Sequence, residues 1–347
     1  MSRLPRFAFL VHPLSGLHRR VIGVRRGYLP MALGGDGLAA PAGVICTPGI
    51  PGVVEGEVVS VPLVPDQMIG DQVVALDAMK RAVEALDVDA VGLGSLCAVV
   101  AGRGEGLVDA LGEAAPPITT GAAATAWAAA ENALAVLRER GDRRAALIGV
   151  GGAVGGAVAR RLLAADIEVL AVCKGRAQVR KAERLGARGV ELQEALAETR
   201  LLVGASTNGG LVAPGDLAEH TVVVDVALPA TLGPGTAPHG VTVLAGEAVT
   251  LPNGWVRGFW GWLYHALAGY GPWQLYACVV EPLVMAVTRR RAPFALGRSV
   301  DDDDLETFAA AAAELGIRPR LARGWRAIPV TRLGGPDVQQ ALPGPSR

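Results

Sequence analysis

Short apolar runs rich in Val, Ile and Leu alternate along this chain with Ala-, Arg- and Glu-rich stretches of helical periodicity. This alternation is typical of parallel strands joined by helices, so it predicts an α/β fold. In the first part of the chain it predicts strands at residues 7–11, 57–64 and 88–93 and a helix at residues 67–86. Residues 34–52, which are rich in Gly and Pro, are predicted to form a loop.

An Ala-rich stretch from Thr120 to Arg140 predicts one long helix, which ends at Gly141 and joins two domains. Beyond it, strands and helices alternate as expected of a doubly wound nucleotide-binding domain. The predicted elements there are strands at residues 145–150, 168–173, 201–205, 221–227 and 241–245, and helices ending at residues 165 and 185. A last helix is predicted at residues 301–315, where an acidic run suits a helix N-terminus.

The chain has 347 residues, more than one compact core usually needs, so two domains are expected. We predict an N-terminal α/β substrate domain at residues 1–130 and a Rossmann-type doubly wound domain at residues 131–265. Residues 266–320 are predicted to form C-terminal helices that pack between or onto these domains, and residues 321–347 a loose tail.

Composition and charge argue against several classes of protein. The 33 Lys and Arg residues balance the 33 Asp and Glu residues, which disfavours nucleic-acid binding. Residues 258–280 lack charged side chains, but their glycines and Pro272 make a poor transmembrane helix. Four cysteines lie far apart, with neither zinc-ligand spacing nor a disulfide framework: Cys46, Cys97, Cys173 and Cys278. This spacing of the cysteines leads us to expect no metal site. The N-terminus lacks a signal-peptide core, so we expect a cytoplasmic protein.

A glycine-rich turn lies between a predicted strand and a predicted helix, the context that raises such a motif above chance. Glycines permit the tight turn and let backbone N–H groups approach a pyrophosphate at the helix N-terminus. The candidate cofactor-binding residues of this turn are Gly149, Gly151, Gly152, Ala153, Val154 and Gly155. Val154 stands where the commonest motif has its last glycine, and the alternative interpretation is a plain turn without a ligand.

The residues after the next predicted strand indicate which nicotinamide cofactor the turn takes. Lys174 and Arg176 stand where an NAD enzyme has an acidic residue for the ribose 2′-hydroxyl, which favours NADPH. The alternative is that they are ordinary surface charges. A polar segment after the fourth strand is assigned to the nicotinamide side: Ser206, Thr207 and Asn208.

Eight of the fifteen aromatic residues fall between Trp255 and Tyr276. Such a cluster forms a helix–helix core, lines an apolar tunnel, or makes a weak peripheral contact with a membrane surface. Cys278 follows this segment, in a helix predicted to begin at Pro272. Pro282 lacks the N–H that would bond to the carbonyl of Cys278, so the helix is opened there. Glu281 lies one turn on, on the same face.

Several short segments, scattered over residues 7–318, carry a resemblance to a known family. They are His12, Gly92–Ser95, Thr119–Gly121 with Thr125, the glycine turn, Tyr276–Glu281, and Phe294 with Gly297 and Arg298. Taken together, the chain resembles the cyanobacterial long-chain acyl-[acyl-carrier-protein] reductase, which forms fatty aldehydes. In that family the cysteine of the A-C-x-x-E segment accepts the acyl group, and it corresponds to Cys278.

The resemblance implies a two-step reaction. The thiolate of Cys278 attacks the thioester of an acyl carrier protein, and NADPH then reduces the S-acyl enzyme to the aldehyde. Glu281 either orients a donor or is a structural carboxylate. The implied substrate-binding residues are Gly94, Ser95, Thr119 and Thr120. Coenzyme A is the alternative acyl donor.

Acyl carrier proteins are acidic, so docking is expected to use cations. Arg289–Arg291 and Arg298 are the nearest in sequence to Cys278, and a solvated helix end is their alternative role. His12 and His265 are either site members or hydrogen-bonded packing residues.

Two other functions fit the same pattern. One is an alcohol/ketone reductase similar to shikimate dehydrogenase, which would use NADP(H) without a covalent intermediate. It would need a Lys/Asp pair such as Lys80 and Asp66 for proton transfer. The other is a protein that binds NADPH without catalysing a reaction.

Overall fold

The computed structural model describes residues 3–13, 43–94, 96–227, 229–252, 255–257, 274–320 and 328–329. The chain divides into two compact units. Unit 1 comprises Met1–Gly121, Leu251–His265 and Cys278–Gly297, and unit 2 comprises Ala122–Thr250, Ala266–Ala277 and Arg298–Arg347. Each unit has its own sheet and helices, so the predicted two-domain α/β fold is confirmed.

The strands are numbered in chain order. They are β1 (Arg6–Val11), β2 (Gly43–Ile50), β3 (Val54–Ser60), β4 (Ala90–Leu93), β5 (Ile118–Thr119), β6 (Arg144–Ile148), β7 (Glu168–Val172), β8 (Arg188–Val190), β9 (Leu201–Gly204), β10 (Val222–Asp225), β11 (Thr242–Ala245), β12 (Ala248–Thr250), β13 (Trp255–Arg257), β14 (Gln274–Tyr276), β15 (Arg318–Pro319) and β16 (Ile328–Pro329).

The helices are numbered in the same way. They are α1 (Pro65–Gly70), α2 (Gln72–Glu84), α3 (Leu96–Val100), α4 (Glu105–Leu111), α5 (Ala122–Arg140), α6 (Ala153–Ala164), α7 (Arg176–Arg184), α8 (Leu192–Glu198), α9 (Ala277–Thr288) and α10 (Asp302–Glu314). Two short 3-10 turns lie at Gly112–Ala114 and Pro214–Asp216.

The sheet of unit 1 has the strand order β13-β2-β3-β1-β4-β5. Strands β3, β1, β4 and β5 are parallel, and β2 and β13 are antiparallel additions at one side. Apolar side chains of these strands and of α2 form the core, with Leu10, Met79 and Leu93 fully buried.

Two predictions for unit 1 need correction. Residues 34–52 were predicted as a loop, yet β2 occupies Gly43–Ile50. Its pairing with β3 along most of its length outweighs the local preference of its Gly and Pro residues. The helix predicted at residues 67–86 is two helices, because Asp71 ends α1 and its side chain accepts the N–H of Val74 at 3.0 Å to cap α2.

The main sheet of unit 2 has the order β16-β11-β10-β9-β6-β7-β8. All its neighbouring strands are parallel except β16, which is antiparallel to β11. Counted from β6, the parallel strands follow the Rossmann order 3-2-1-4-5-6. The predicted doubly wound domain is therefore confirmed, and the strand order reverses direction between β6 and β9.

The long predicted helix is α5, and it belongs to unit 2. Its alanines are mostly buried, which lets neighbouring elements approach closely. Trp127 of α5 packs edge-to-face on Phe308 of α10, with ring centroids 5.5 Å apart. Gly141, with φ of 72°, ends the helix as predicted.

The helix predicted to begin at Pro272 begins instead at Ala277, because residues Gln274–Tyr276 pair with β12 as β14. Pro272, His265 and most of the aromatic segment lie outside the described residues. So does most of the predicted tail, apart from Ile328–Pro329, which form β16. Within the parts of the chain that are described, no helix is both long and apolar enough to cross a membrane.

Candidate functional site

The first candidate site lies in unit 1, at the edge where its parallel strands end. Because β1, β4 and β5 are parallel, the residues that follow them meet at one edge of the sheet. Helix α9 starts at this edge and packs closely on β4 at Gly92. A Cβ built on Gly92 would lie 2.7 Å from the Cγ of Pro282, so only glycine leaves room for the helix there.

Gly121 holds Cys278 against the end of β5. A Cβ built on Gly121 would lie 2.5 Å from the Cβ of Cys278 and 2.7 Å from its Cα. Gly121 also has φ of 74°, a left-handed conformation that disfavours any side chain. The structure therefore brings the Thr119–Gly121 segment and Cys278 together, although the sequence separates them widely.

Glu281 lies one turn after Cys278 on α9 and is fully buried. The Thr119 hydroxyl, also fully buried, donates to its Oε1. The same hydroxyl lies 3.0 Å from the carbonyl oxygen of Ala295, which also accepts the Thr120 N–H at 3.0 Å. Glu281, Thr119 and Ala295 thus tie α9, β5 and the 294–297 loop together behind Cys278.

We expect Thr119→Val to lower the free energy of unfolding by about 1–3 kcal/mol, because it removes a buried donor from the Glu281 carboxylate without changing side-chain volume. Chemical denaturation measures this effect. Thr120→Val is the matched control, since the Thr120 hydroxyl makes a longer contact, 3.3 Å to Ala295 O, and is only partly buried. Equal losses in the two variants would show that the Thr119–Glu281 contact contributes nothing.

The structure describes three cysteine side chains, and among them Cys278 is the one that is partly exposed. Complete burial raises the pKa of the Cys97 thiol to about 12, which makes it a poor nucleophile. Burial, with a smaller contribution from Glu183, also raises the pKa of Cys173. Cys46 lies on β2, with its side chain outside the described set.

The other residues predicted around this site have varied environments. His12 is almost buried, and its Nδ1 lies 3.1 Å from the carbonyl oxygen of Pro13. Gly94 packs on Phe9, because a Cβ built there would lie 2.7 Å from the Phe9 ring. Ser95 and His265 are outside the described residues.

Arg289–Arg291 follow the opposite end of α9. Thr288 lies ten positions after Cys278 on the helix, about 15 Å along the axis. The arginines line a cleft of about 720 Å³ with residues that precede β1, β4 and β5, such as Pro5 and Pro117. The three arginines therefore lie at the far end of α9 and not beside Cys278.

The second candidate site lies in unit 2, at the turn between β6 and α6. Gly149 has φ of 97°, and a Cβ there would lie 2.7 Å from the carbonyl carbon of Ala205. A Cβ on Gly155 would lie 2.6 Å from the carbonyl carbon of Gly149. A Cβ on Gly151, by contrast, would meet nothing within 4 Å. Two glycines allow close packing of the backbone, and the third faces open space.

The other predicted cofactor residues lie around this turn, at the carboxyl ends of β7 and β9. Lys174 and Arg176 follow β7 and are exposed. Ser206 follows β9, and its hydroxyl accepts the N–H of Asn208 at 3.0 Å. Thr207 and Asn208 are exposed, while Ala153 and Val154 lie in the first turn of α6 and are partly buried.

Two residues of this edge were not predicted from the sequence. Lys181 of α7 donates from Nζ to the carbonyl oxygen of Gly151 at 2.6 Å. Asp225, at the end of β10, accepts hydrogen bonds from Ala227 N at 3.0 Å and from Thr231 N and Oγ1 at 2.8 Å each. Burial nevertheless raises the pKa of Asp225 above its usual value. An acidic residue ending an apolar predicted strand was the signal that could have identified it.

Asp225 orders the loop after β10, and that loop pairs with the one after β9. Gly210 N donates to Ala230 O at 2.9 Å, and Val212 N donates to Thr231 O at 3.2 Å. The two loops are therefore fixed together beside the point where the strand order reverses, which is where doubly wound sheets bind ligands. Over the described part of the chain, no three His, Cys, Asp or Glu side chains cluster as metal ligands would.

No family model matches the chain. The chain is similar to the aminotransferase PigE of Serratia sp. (strain ATCC 39006), with 26% identity over 272 residues, which are 72% of this chain and 31% of that protein. This chain thus spans less than a third of the length of that relative.

Among solved structures, this chain is similar to shikimate 5-dehydrogenase from Thermus thermophilus in complex with NADP(H) and shikimate. The identity is 22% and the TM-score is 0.31, with 64% of this chain and 78% of that chain covered. A transhydrogenase from Sinorhizobium meliloti gives 13% identity, 51% and 74% coverage and a TM-score of 0.30. Phosphoglycerate oxidoreductase from Vibrio cholerae has 12% identity to this chain and a TM-score of 0.27, with 65% of this chain and 76% of that chain covered. Similarities of this size carry no argument about activity, and the fold assignment rests on the strand order itself.

Proposed function

We propose that this protein is an NADPH-dependent oxidoreductase that converts a fatty acyl thioester into the aldehyde through an S-acyl intermediate on Cys278. The observation that carries the proposal is the setting of Cys278. It is partly exposed, lies in the first turn of α9, and is held by Gly121 at the edge where the parallel strands of unit 1 end. The proposal also rests on the resemblance to the cyanobacterial acyl-[acyl-carrier-protein] reductases.

In the first half of the proposed reaction, the Cys278 sulfur attacks the carbonyl carbon of the acyl thioester. A new C–S bond forms, the bond to the carrier sulfur breaks, and the carrier leaves as a free thiol with the proton that Cys278 gave up. The leaving thiol has a pKa near that of cysteine, about 8.5, so a strong general acid is unnecessary. The acyl group stays on the enzyme as a thioester of similar energy.

In the second half, the glycine turn would hold NADPH, and the bound cofactor would supply the hydride for reduction of the S-acyl carbonyl. Reduction places negative charge on the former carbonyl oxygen. N–H groups in the first turn of a helix have no partners within the helix, and the helix dipole favours negative charge there. The Ala277 N–H already donates to Glu247 O at 2.8 Å, so the stabilisation of the oxyanion is assigned to the positive end of the α9 dipole. Collapse of the hemithioacetal then releases the aldehyde and restores the Cys278 thiolate.

The contacts of Thr119, Thr120 and Glu281 favour positioning roles over direct contact with the oxyanion. Both threonine hydroxyls face Ala295 O, and that of Thr119 also faces Glu281. A hydroxyl carries one proton to donate, so these groups are already engaged. Of the two roles predicted for Glu281, the structural one fits its burial better: it fixes the first turns of α9.

The backbone of the glycine turn has the features that a dinucleotide-binding site needs. Gly149 and Gly155 give the close approach of turn and helix that such a site needs, and Gly151 leaves space for the pyrophosphate. Ser206–Asn208 are proposed to lie toward the nicotinamide, and Lys174 and Arg176 toward the ribose 2′-phosphate.

In this proposal the acyl donor is an acyl carrier protein, with coenzyme A as the alternative, and the protein acts in the cytoplasm.

The alternative of a reductase without a covalent intermediate has less support. It would need Lys80 and Asp66 as a proton-transfer pair, but the ion pair formed by Lys80 is with Glu84, one turn along α2, at 3.8 Å. Intact mass spectrometry after incubation with an acyl-carrier-protein thioester, without NADPH, distinguishes the two mechanisms. The covalent mechanism requires a gain of one acyl mass, and the non-covalent mechanism requires none.

The cofactor assignment gives a separate prediction. NADPH is expected to bind at least about tenfold more tightly than NADH, on the order of 1.4 kcal/mol, because Lys174 and Arg176 face the extra phosphate. Fluorescence titration measures both dissociation constants. Replacing Lys174 and Arg176 together by Ala is expected to remove the preference. Equal affinities in the wild type would contradict the assignment of these two residues.

A further inference from the structure

We infer that Lys181 is a third cation of the cofactor site and binds the 2′-phosphate of NADPH, an inference that rests on the proposed function. Lys181 is on α7, thirty residues after Gly151 in sequence. The fold nevertheless brings its Nζ to 2.6 Å from the carbonyl oxygen of Gly151. This contact brings the ammonium group to the residue of the turn that faces open space.

An ammonium group has three N–H donors, and the Gly151 carbonyl uses one of them. A neutral carbonyl does not cancel the positive charge. The open space at Gly151, where a Cβ would meet nothing within 4 Å, leaves room for an anionic group against the remaining donors. Lys181 therefore combines a hydrogen bond to the turn, an ammonium group with further donors and open space at the neighbouring Gly151.

Lys174, Arg176 and Lys181 belong to one short segment, which runs from the end of β7 through α7. The Lys174 N–H donates to the Gln178 side chain at 2.6 Å, which ties the turn after β7 to the first turns of α7. Lys181 follows within the same nine-residue helix and points back to the turn after β6. Because β6 and β7 are neighbouring strands, a group that lies between their ends has the glycine turn on one side and the cations of the β7–α7 segment on the other.

The position also indicates which phosphate is bound. The pyrophosphate of a dinucleotide lies at the helix that follows the first strand, and the ribose lies toward the end of the second strand. Lys181 stands on the helix that follows β7, the second strand, so its charge is on the ribose side. A 2′-phosphate carries about 1.5–2 negative charges at neutral pH, whereas the 2′-hydroxyl of NADH carries none.

The test measures binding, not turnover, in the whole chain. Dissociation constants for NADPH and NADH are measured by fluorescence titration, and those for adenosine 2′,5′-bisphosphate and 5′-AMP by calorimetry. Lys181→Met removes the charge and keeps much of the apolar stem, and Lys181→Arg keeps the charge. Arg184→Met is the matched control, since it removes one exposed cation from the same helix.

We expect Lys181→Met to raise the dissociation constants of NADPH and adenosine 2′,5′-bisphosphate about tenfold. Those of NADH and 5′-AMP are expected to change less than twofold. Lys181→Arg is expected to restore most of the affinity, and Arg184→Met to behave as wild type. The inference is overturned if Lys181→Met weakens NADH as much as NADPH, which would place Lys181 at the pyrophosphate, or if Arg184→Met gives the same loss.

Failure of the inference and failure of the proposed function give different results. If the wild type binds NADPH tightly and Lys181→Met does too, then Lys181 has no role and the proposed cofactor stands. If the wild type binds neither NADPH nor NADH, the proposed function itself is wrong and the inference falls with it. Thermal unfolding of each variant without ligand is the folding control. A variant that unfolds at the wild-type temperature has lost affinity and not its fold.

Discussion

Wild-type protein mixed with an acyl-carrier-protein thioester, in the absence of NADPH, is expected to gain one acyl mass on the peptide that contains Cys278. Acyl transfer needs no hydride, so the reaction stops at the S-acyl enzyme when the cofactor is withheld. Tryptic digestion and mass spectrometry identify the modified peptide. Addition of NADPH is then expected to remove the adduct and release one equivalent of aldehyde.

Cys278→Ser tests the same step by removing the nucleophile. It is expected to lower aldehyde formation by at least about 10³-fold, because a serine hydroxyl without a general base is a far weaker nucleophile than a thiolate. Gly155 and the rest of the glycine turn belong to unit 2 and Cys278 to unit 1, so NADPH affinity is expected to stay within twofold of wild type.

Cys97→Ala and Cys173→Ala are the control variants. Both side chains are buried, and burial raises both thiol pKa values, so neither is expected to accept the acyl group. Each replacement is expected to lower stability and leave aldehyde formation per folded molecule unchanged. An adduct on either residue, or undiminished aldehyde formation by Cys278→Ser, would contradict the covalent mechanism.

Much of the fold could be predicted from sequence because its signals are local. A parallel strand buried on both faces is a continuous apolar run, and β6, β7, β9 and β10 all have this form. The glycine turn and the end of α5 at Gly141 are also local, since each depends on a glycine in a left-handed conformation. Periodicity and turn residues were therefore sufficient for these elements of unit 2.

Elements defined by pairing were harder to predict. The β2 strand contains Gly43, Pro48 and Gly49, which locally favour a turn, and its strand conformation comes from pairing with β3 and β13. The β14 strand is short and directly precedes a helix, so Pro272 looked like a helix start. Sequence patterns carry little information about partners that lie far away along the chain.

The candidate site shows the same limit. The Thr119–Glu281 contact joins residues 162 positions apart, and the Gly151–Lys181 contact joins residues 30 apart. Thr119 was singled out through a family resemblance and Glu281 through its position one turn after Cys278, whereas Lys181 was not singled out at all. A lysine on a basic helix looks like surface charge until the fold shows which carbonyl it meets.

The spacing of the glycine turn, with Val154 at the usual position of the last glycine, has a physical explanation in the structure. The packing position is Gly155, one residue later, where the helix meets the carbonyl group of Gly149. The turn contains one extra residue, and the close contact between helix and turn has moved with it. The contact requires a residue without a side chain. This chain places that residue at Gly155 and not at position 154.

Close packing at Gly155 leads to the second prediction of large effect. Gly155→Ala is expected to lower the free energy of unfolding by about 3 kcal/mol and to weaken NADPH at least tenfold. The added methyl group would lie 2.6 Å from the Gly149 carbonyl carbon and 3.1 Å from Val150 N, and these backbone atoms have no rotamer by which to yield. The start of α6 must therefore move away from the turn that is proposed to hold the pyrophosphate. Chemical denaturation and fluorescence titration measure the two effects.

Gly156→Ala, at the next residue, is the matched control, because it adds the same methyl group to the same helix. A Cβ there would lie 3.4 Å from Val150 O and 3.7 Å from the Arg160 guanidinium, which are ordinary contacts. Alanine is a better helix former than glycine, so Gly156→Ala is expected to raise the free energy of unfolding by about 0.5–1 kcal/mol and to leave NADPH affinity unchanged. Opposite signs for adjacent glycines would establish that the turn depends on close packing at Gly155. If both variants are equally destabilised, the helix is intolerant of alanine in general and the packing argument fails.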